Sequence, residues 1–340
     1  MQIHMTFGRT LLAAVAAIGI GAAQAAPIPT LSNALGAGSG VEAQRLIVGA
    51  NGSVGPNPLY TTPRGEGLDG VAGLIIDTAL GSFICTGSLL TSGNAILTAA
   101  HCLTDETGKL IAETVTAVFF PNGSAGTAVF TSTDFRIRSE YDGSVISDYD
   151  VAVLRFDQEI TTPGIDRYDL WTGPIAVNNA INIVGFGDRG AGATGVTADA
   201  GIRRQAFNRF DFFNSPGVLI SDFDSGLAAN DASCLFGFCN LGFGAFEGGL
   251  AGGDSGGPAF LFDAANTRYI AGVASFGARI PGPDIDGLLN SSFGEFNGHT
   301  SVAFNADWIR AQLVPEPGSL ALLGIGLLAL TALRRRPAQR

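Results

Sequence analysis

The chain has 340 residues, of which 46% are hydrophobic and only 14% charged, a composition that supplies a core and excludes a disordered tail. Its net charge is −11. Arg9, Arg334, Arg335, Arg336 and Arg340 all lie in the end segments, so the middle is more acidic still, and a field of that sign repels phosphate backbones and argues against nucleic-acid binding.

In chain order, residues 1–25 read as a secretory signal peptide. Arg9 precedes an apolar run from Leu11 to Ile20, and the small-residue triplet Ala23-Gln24-Ala25 offers signal peptidase a cleavage site. Residues 26–67 are rich in Gly, Pro, Ser and Asn with few apolar periods, and read as a linker or propeptide. From Leu68 the pattern changes to short β-rich runs, among them GVAGLIID, FICTGSLL, NAILTAA, DVAVLRF, INIVGFG and RYIAGVASFG, nearly all bounded by Gly, Asn, Asp or Pro. The 48 glycines and 15 prolines suit strands joined by tight turns. One helix is expected, from Ala303 to Leu313, with Phe304, Trp308 and Leu313 near one face. Many strands and almost no helix predict an all-β fold, a sandwich or a pair of barrels.

The tail, VPEPGSLALLGIGLLALTALRRR from Val314, joins Pro-Glu-Pro to an apolar stretch, Leu320 to Leu333, and three arginines. Arginines stay on the cytoplasmic side and would leave everything before them outside. The stretch is short against the roughly 20 residues of a spanning helix. Residues 314–340 resemble a PEP-CTERM sorting signal with a short transmembrane segment. That resemblance implies a bacterial protein exported to the cell envelope or beyond, anchored transiently in the membrane and processed by an exosortase-type enzyme.

The four cysteines fall into two close pairs, Cys85 with Cys102 and Cys234 with Cys239, which in an exported protein read as two disulfides. Zinc is the rival reading, but it needs ligand spacing such as C-x-x-C, which the chain does not supply.

Three segments carry nucleophilic chemistry. A serine hydroxyl needs a histidine to take its proton, a carboxylate to orient that histidine, and backbone N–H groups aimed at the oxyanion. Ser255 lies in GGDSGGP, where glycines let the N–H groups of Gly253 and Ser255 point at one oxygen. His101 ends the apolar run of TAAHC, beside Cys102. Asp150 opens the strand DVAVLRF, where a bond to the imidazole makes burial of its charge tolerable; Asp148, outside the apolar run, is assigned to the surface.

TAAHC, DVAVLRF and GGDSGGP, with CTGSLL at Cys85, VGFG at Val184, ASFG at Ala274 and ADWIR at Ala306, resemble the chymotrypsin/trypsin family in that order. The resemblance spans residues 68–313. It implies a double Greek-key β-barrel with a C-terminal helix and a triad of His101, Asp150 and Ser255. It also implies an oxyanion hole at Gly253 and Ser255, and a substrate-pairing edge at Ser275, Phe276 and Gly277. The substrate is then a protein or peptide, and neither metal nor organic cofactor is required.

Departures accompany it. Where trypsin-type enzymes carry an acidic specificity residue this chain has Gly249, followed by Leu250, and Ala251 replaces a cysteine of the pocket wall. An apolar or small side chain before the cut is therefore expected, unless a loop shift brings Glu247 into the pocket. Arg45-Leu46-Ile47-Val48-Gly49 is similar to an activation site, and a cut after Leu46 would free Ile47 to pair with Asp254; a coincidental tripeptide in a linker is the other reading. The sequence thus points to an exported serine endopeptidase, with a non-catalytic protease-like binding protein of the extracellular matrix as the alternative.

Overall fold

The computed structural model describes residues 47–313, except 56 and 281. The signal peptide, most of the linker and the sorting tail lie outside the described residues, so the short transmembrane segment expected there does too. Among the described residues no helix is long and apolar enough to cross a membrane.

After a short entering strand, β1 (Val48–Gly49), seven strands form one sheet: β2 (Val71–Thr78), β3 (Gly81–Leu89), β4 (Ala95–Thr98), β5 (Ala112–Phe119), β6 (Ala128–Ser132), β7 (Asp134–Ile137) and β8 (Ala152–Arg155). Their order is β6-β5-β2-β3-β4-β8-β7. The two edges, β6 and β7, are separated in sequence by Thr133 alone, so the sheet curls round until its edges are halves of one bent stretch. Leu74, Ile76, Ile84, Leu97, Phe119 and Val153 fill its interior.

The second half repeats the device. After β9 (Asp169–Leu170) come β10 (Ala180–Gly185), β11 (Arg189–Ala191), β12 (Gly195–Ala198), β13 (Arg204–Arg209), β14 (Phe212–Ser215), β15 (Val218–Asp222), β16 (Gly248–Gly249), β17 (Pro258–Phe262), β18 (Arg268–Arg279) and β19 (Glu295–Ser301). The main sheet runs β13-β10-β17-β18-β19-β15-β14, with β9 beside β18. Its edges β13 and β14 are again neighbours in sequence, parted by Phe210 and Asp211. The fold is therefore all-β with two curled sheets, as the resemblance implied.

Helix α1 (Val302–Leu313) crosses back to the first barrel. Its buried residues are Val302, Asn305, Ala306 and Ile309, whereas Phe304 is exposed. Of the expected face, Trp308 and Leu313 are half-buried against the core beside these residues, and Phe304 alone of the three is turned out. Asn305 locks the contact, accepting from Nη1 of Arg138 at 2.6 Å and donating to the carbonyl of Asp148 at 2.9 Å.

Residues 47–67 were grouped with the linker by composition, yet Ile47, Val48 and Tyr60 are packed into the second barrel. β1 pairs antiparallel with β16, Val48 opposite Gly249 and Gly49 opposite Gly248, and parallel with β11. Ile47 is fully buried with Tyr60, Ile181 and Ile183, and Tyr60 donates its hydroxyl to the carbonyl of Ala245 at 2.7 Å. Composition could not show this, because the strand it joins lies far along the chain. A buried ion pair, Arg203 with Asp69 at 2.7 Å, ties the entrance of the first barrel to the second.

Candidate active site

Register brings the histidine and the aspartate together. β4 runs antiparallel to β8 with Thr98 opposite Ala152, so His101, just past Thr98, and Asp150, just before Ala152, emerge at the same barrel end. Ala100–Cys102 then forms a single 3-10 turn, held to β3 by the Cys85–Cys102 disulfide, whose Cα atoms are 6.4 Å apart. The second expected disulfide, Cys234–Cys239, is also formed.

Asp150 is fully buried and every bond it makes serves the histidine or its holder. Oδ1 accepts the backbone N–H of His101 at 2.9 Å, and Oδ2 accepts Nδ1 at 2.7 Å. A carboxylate can only accept, so Nδ1 carries the proton and Nε2 keeps its lone pair for a donor. Nε2 is buried and has no hydrogen-bond partner.

Oδ2 of Asp150 also accepts the hydroxyl of Ser275, which shares its proton with the carbonyl of Val145. Ser275 reaches inward because β18 is bulged against β19 between Ala274 and Phe276. The extra residue turns its side chain off the ladder toward Asp150. Sequence reading placed Ser275 on the substrate edge; the carboxylate contact is additional. The ring of Phe276 lies over Gly298, where a side chain would collide with it, and Gly277 continues the strand opposite Asn297.

The turn carrying Ser255 is fastened from both barrels. Gly256 donates to the carbonyl of Ala274 at 2.8 Å, and Thr86 of β3 donates its N–H to the carbonyl of Ser255 at 2.8 Å and its hydroxyl to that of Gly253 at 2.9 Å. Gly253 and Gly256 have φ of +95° and +83°, and a side chain on Gly256 would strike Thr98 and Thr86. Sulfur of Cys102 lies 3.6 Å from the Ser255 carbonyl, so the serine turn abuts the histidine turn. CTGSLL contains Thr86, but sequence reading assigned it no role, because Gly253 and Ser255 lie far along the chain.

One peptide bears on the oxyanion. The carbonyl of Gly252 accepts the N–H of Asp188 at 2.7 Å. In a trans peptide the next N–H points the opposite way, so Gly253 turns its N–H away from Asp188.

Asp148 is not a plain surface group. It reaches across to the second barrel, accepting the hydroxyl of Ser215 and, at 3.0 Å, the N–H of Gly217. Two β-hairpin donors with no other use for their protons explain its half-buried position.

A Trypsin family model matches residues 68–203, and a PEP-CTERM protein-sorting motif matches residues 313–336. The trypsin likeness thus covers the first barrel and the start of the second. No curated protein matches the chain. The trypsin match includes His101 and Asp150 and ends before Ser255, which lies in GGDSGGP. The sorting motif supports export of the chain.

Around Gly249 the domain is apolar. Phe223, Val48, Ala251 and Phe293 cluster there, and a Cβ on Gly249 would lie 2.9 Å from the ring of Phe223. Asn297 closes another side, its Oδ1 accepting the N–H of Leu250 at 2.7 Å. Glu247 is turned elsewhere. Its carboxylate accepts the N–H of Asp224 at 3.1 Å and that of Phe243, and burial pushes it up to about 7.

Proposed function

We propose that the chain is an exported serine endopeptidase acting through an acyl-enzyme. The observation that carries the reading is the bond from Nδ1 of His101 to buried Asp150, which leaves Nε2 as a base beside the Ser255 turn. Ser255 Oγ attacks the scissile carbonyl while Nε2 takes its proton. The oxyanion is received by the N–H groups of Gly253 and Ser255. His101 then passes the proton to the leaving amine, and water hydrolyses the acyl-enzyme by the same route.

Substrate binding fits the same frame. The edge at Ser275, Phe276 and Gly277 would pair with an extended peptide as an added strand. The apolar surroundings of Gly249, the Phe223 ring among them, suit a small or apolar side chain before the cut.

A cut after Leu46 is the proposed activation step. Asp254 is fully buried, accepts only the N–H groups of Gly187 and Ala251, and is pushed up to about 7 by burial. An ammonium freed at Ile47 would supply its missing counter-charge. Ile47 has φ of 145°, a conformation a β-branched residue holds only under constraint, and cutting the bond before it removes that constraint. Signal peptidase at residue 25 and an exosortase-type enzyme at the tail complete the proposed processing.

Fluorophosphonate labelling of the processed chain tests the reading. The adduct is expected on Ser255, with hydrolysis lost by a factor of roughly 10⁴ or more in Ser255→Ala and His101→Ala. Full hydrolysis by pure Ser255→Ala protein would overturn the triad. A processed chain that never labels would favour a protease-like binding protein.

A further inference from the structure

Three carboxylates at the end of β15 take no part in this chemistry. Asp222 closes the strand, Asp224 follows two residues later, and Asp231 returns from the loop. One oxygen of each lies within 4.8 Å of the others, and the three residues are 1%, 1% and 4% exposed. Other buried carboxylates in the molecule are satisfied. Asp254 accepts two backbone N–H groups, Glu295 accepts those of Asn290, Ser291 and Ser292, and Asp231 itself accepts those of Cys234 and Asn240.

Asp224 differs. Neither of its oxygens accepts from an N–H or a hydroxyl, and neither does Oδ1 of Asp222, so the side-chain partner of Asp224 is the carboxyl of Asp222 itself; among the described residues no other buried carboxylate oxygen is in that condition. None of the ion pairs among the described residues reaches the three either. Two of the three residues grouped by distance, Asp222 and Asp224, are thus the ones with oxygens short of donors, and the two observations converge on one point.

Buried like charges without donors are costly unless protons or a cation lie among them. Full carboxylates from Asp222-Phe223-Asp224-Ser225-Gly226, with Gly226 turning the chain at φ +79°, provide alternate oxygen donors of the kind hard cations take. Cys234 and Cys239 also approach Asp231, but they are joined to each other, so no thiolate is on offer for a soft metal.

We propose that Asp222, Asp224 and Asp231 bind a hard divalent cation of the calcium class, which fastens the end of β15 to the loop carrying Asp231. The ion also braces the candidate substrate pocket. Phe223 stands between two of the ligands and its ring lies against Gly249. This second role rests on the peptidase reading; the ion site does not.

Melting the purified full-length chain in CaCl₂ and in chelator tests the site without reference to activity. Millimolar calcium is expected to raise the Tm by roughly 5–10 °C, the shift for a ligand at about 100 times its Kd on a domain of this size. Asp224→Asn is expected to abolish the calcium shift. An equal Tm with and without calcium would overturn the site and leave a protonated carboxyl cluster; so would a full calcium shift retained in Asp224→Asn. Should that variant fail to fold, calorimetric titration of the unaltered chain with calcium separates the same two outcomes: saturable binding supports the site, and its absence overturns it. For the pocket, chelation is expected to raise KM several-fold with kcat little changed, and an unchanged KM in a calcium-binding chain would overturn the bracing role.

Discussion

Ser275 and His101 donate to the same oxygen, Oδ2 of Asp150, from opposite barrels. The serine therefore fixes the carboxylate from the second barrel while the histidine uses it from the first. Ser275→Ala removes a hydrogen bond to a charged group, a loss of about 1.5 kcal/mol or more, which corresponds to roughly tenfold in rate. The expected result is a kcat/KM on a peptide substrate lowered about tenfold, with KM little moved. An unchanged kcat would show that Asp150 is held without it.

The Cys85–Cys102 bridge spans 17 residues, for which chain entropy gives about 3 kcal/mol. Replacing both cysteines by alanine is expected to lower the Tm by roughly 6–12 °C in a domain of this size. Activity should fall with it, because the bridge holds the turn that presents His101. Differential scanning calorimetry and peptide hydrolysis on the same preparation measure both. Full activity in the double variant well below its Tm would separate the turn from the bridge.

Stability should depend on pH through Asp254. Its carboxyl is held at about 7 in the fold against 3.8 as a free group, so the folded chain keeps a proton that the unfolded chain has lost. The contribution is complete below about pH 4 and disappears as pH rises through about 7. Glu247 and Glu295, both pushed up to about 7 by burial, act in the same direction. Urea midpoints of the uncut chain, measured in chelator, are expected to fall between about pH 4 and pH 7.5. Asp254→Asn should flatten part of that slope. A chain beginning at Ile47 should flatten it further, because its ammonium would pair with the ionised carboxylate; an identical slope in cut and uncut chains would count against the pairing.

Selectivity should follow Phe223 and Gly249 and ignore Glu247. Profiling of a mixed peptide library is expected to show small or apolar residues before the cut. Glu247→Gln should leave that profile unchanged, since the carboxylate is occupied by the N–H groups of Asp224 and Phe243. Gly249→Ala should lower kcat/KM, because its methyl would lie 2.9 Å from the Phe223 ring and displace it. A preference for Arg or Lys that Glu247→Gln abolishes would reverse this assignment.

Much of the protein was legible in the sequence because its signals are local. Short β runs bounded by turn residues gave the all-β class, and TAAHC, DVAVLRF and GGDSGGP each named a residue type with the neighbours its chemistry needs. The tail motif was equally self-contained, and so were the close cysteine pairs. What only the tertiary structure decided depends on partners far apart in the chain. Thr86 meets the Ser255 turn, Ser275 turns inward at a bulge to reach Asp150, and Val48 pairs with Gly249. None of these contacts has a local pattern, since any of several threonines or serines could have stood there. The carboxylates of Asp222, Asp224 and Asp231 are the clearest case. In sequence they are ordinary acidic residues of a loop, and only folding, by removing water and donors from around Asp224, makes their mutual repulsion something the protein must answer.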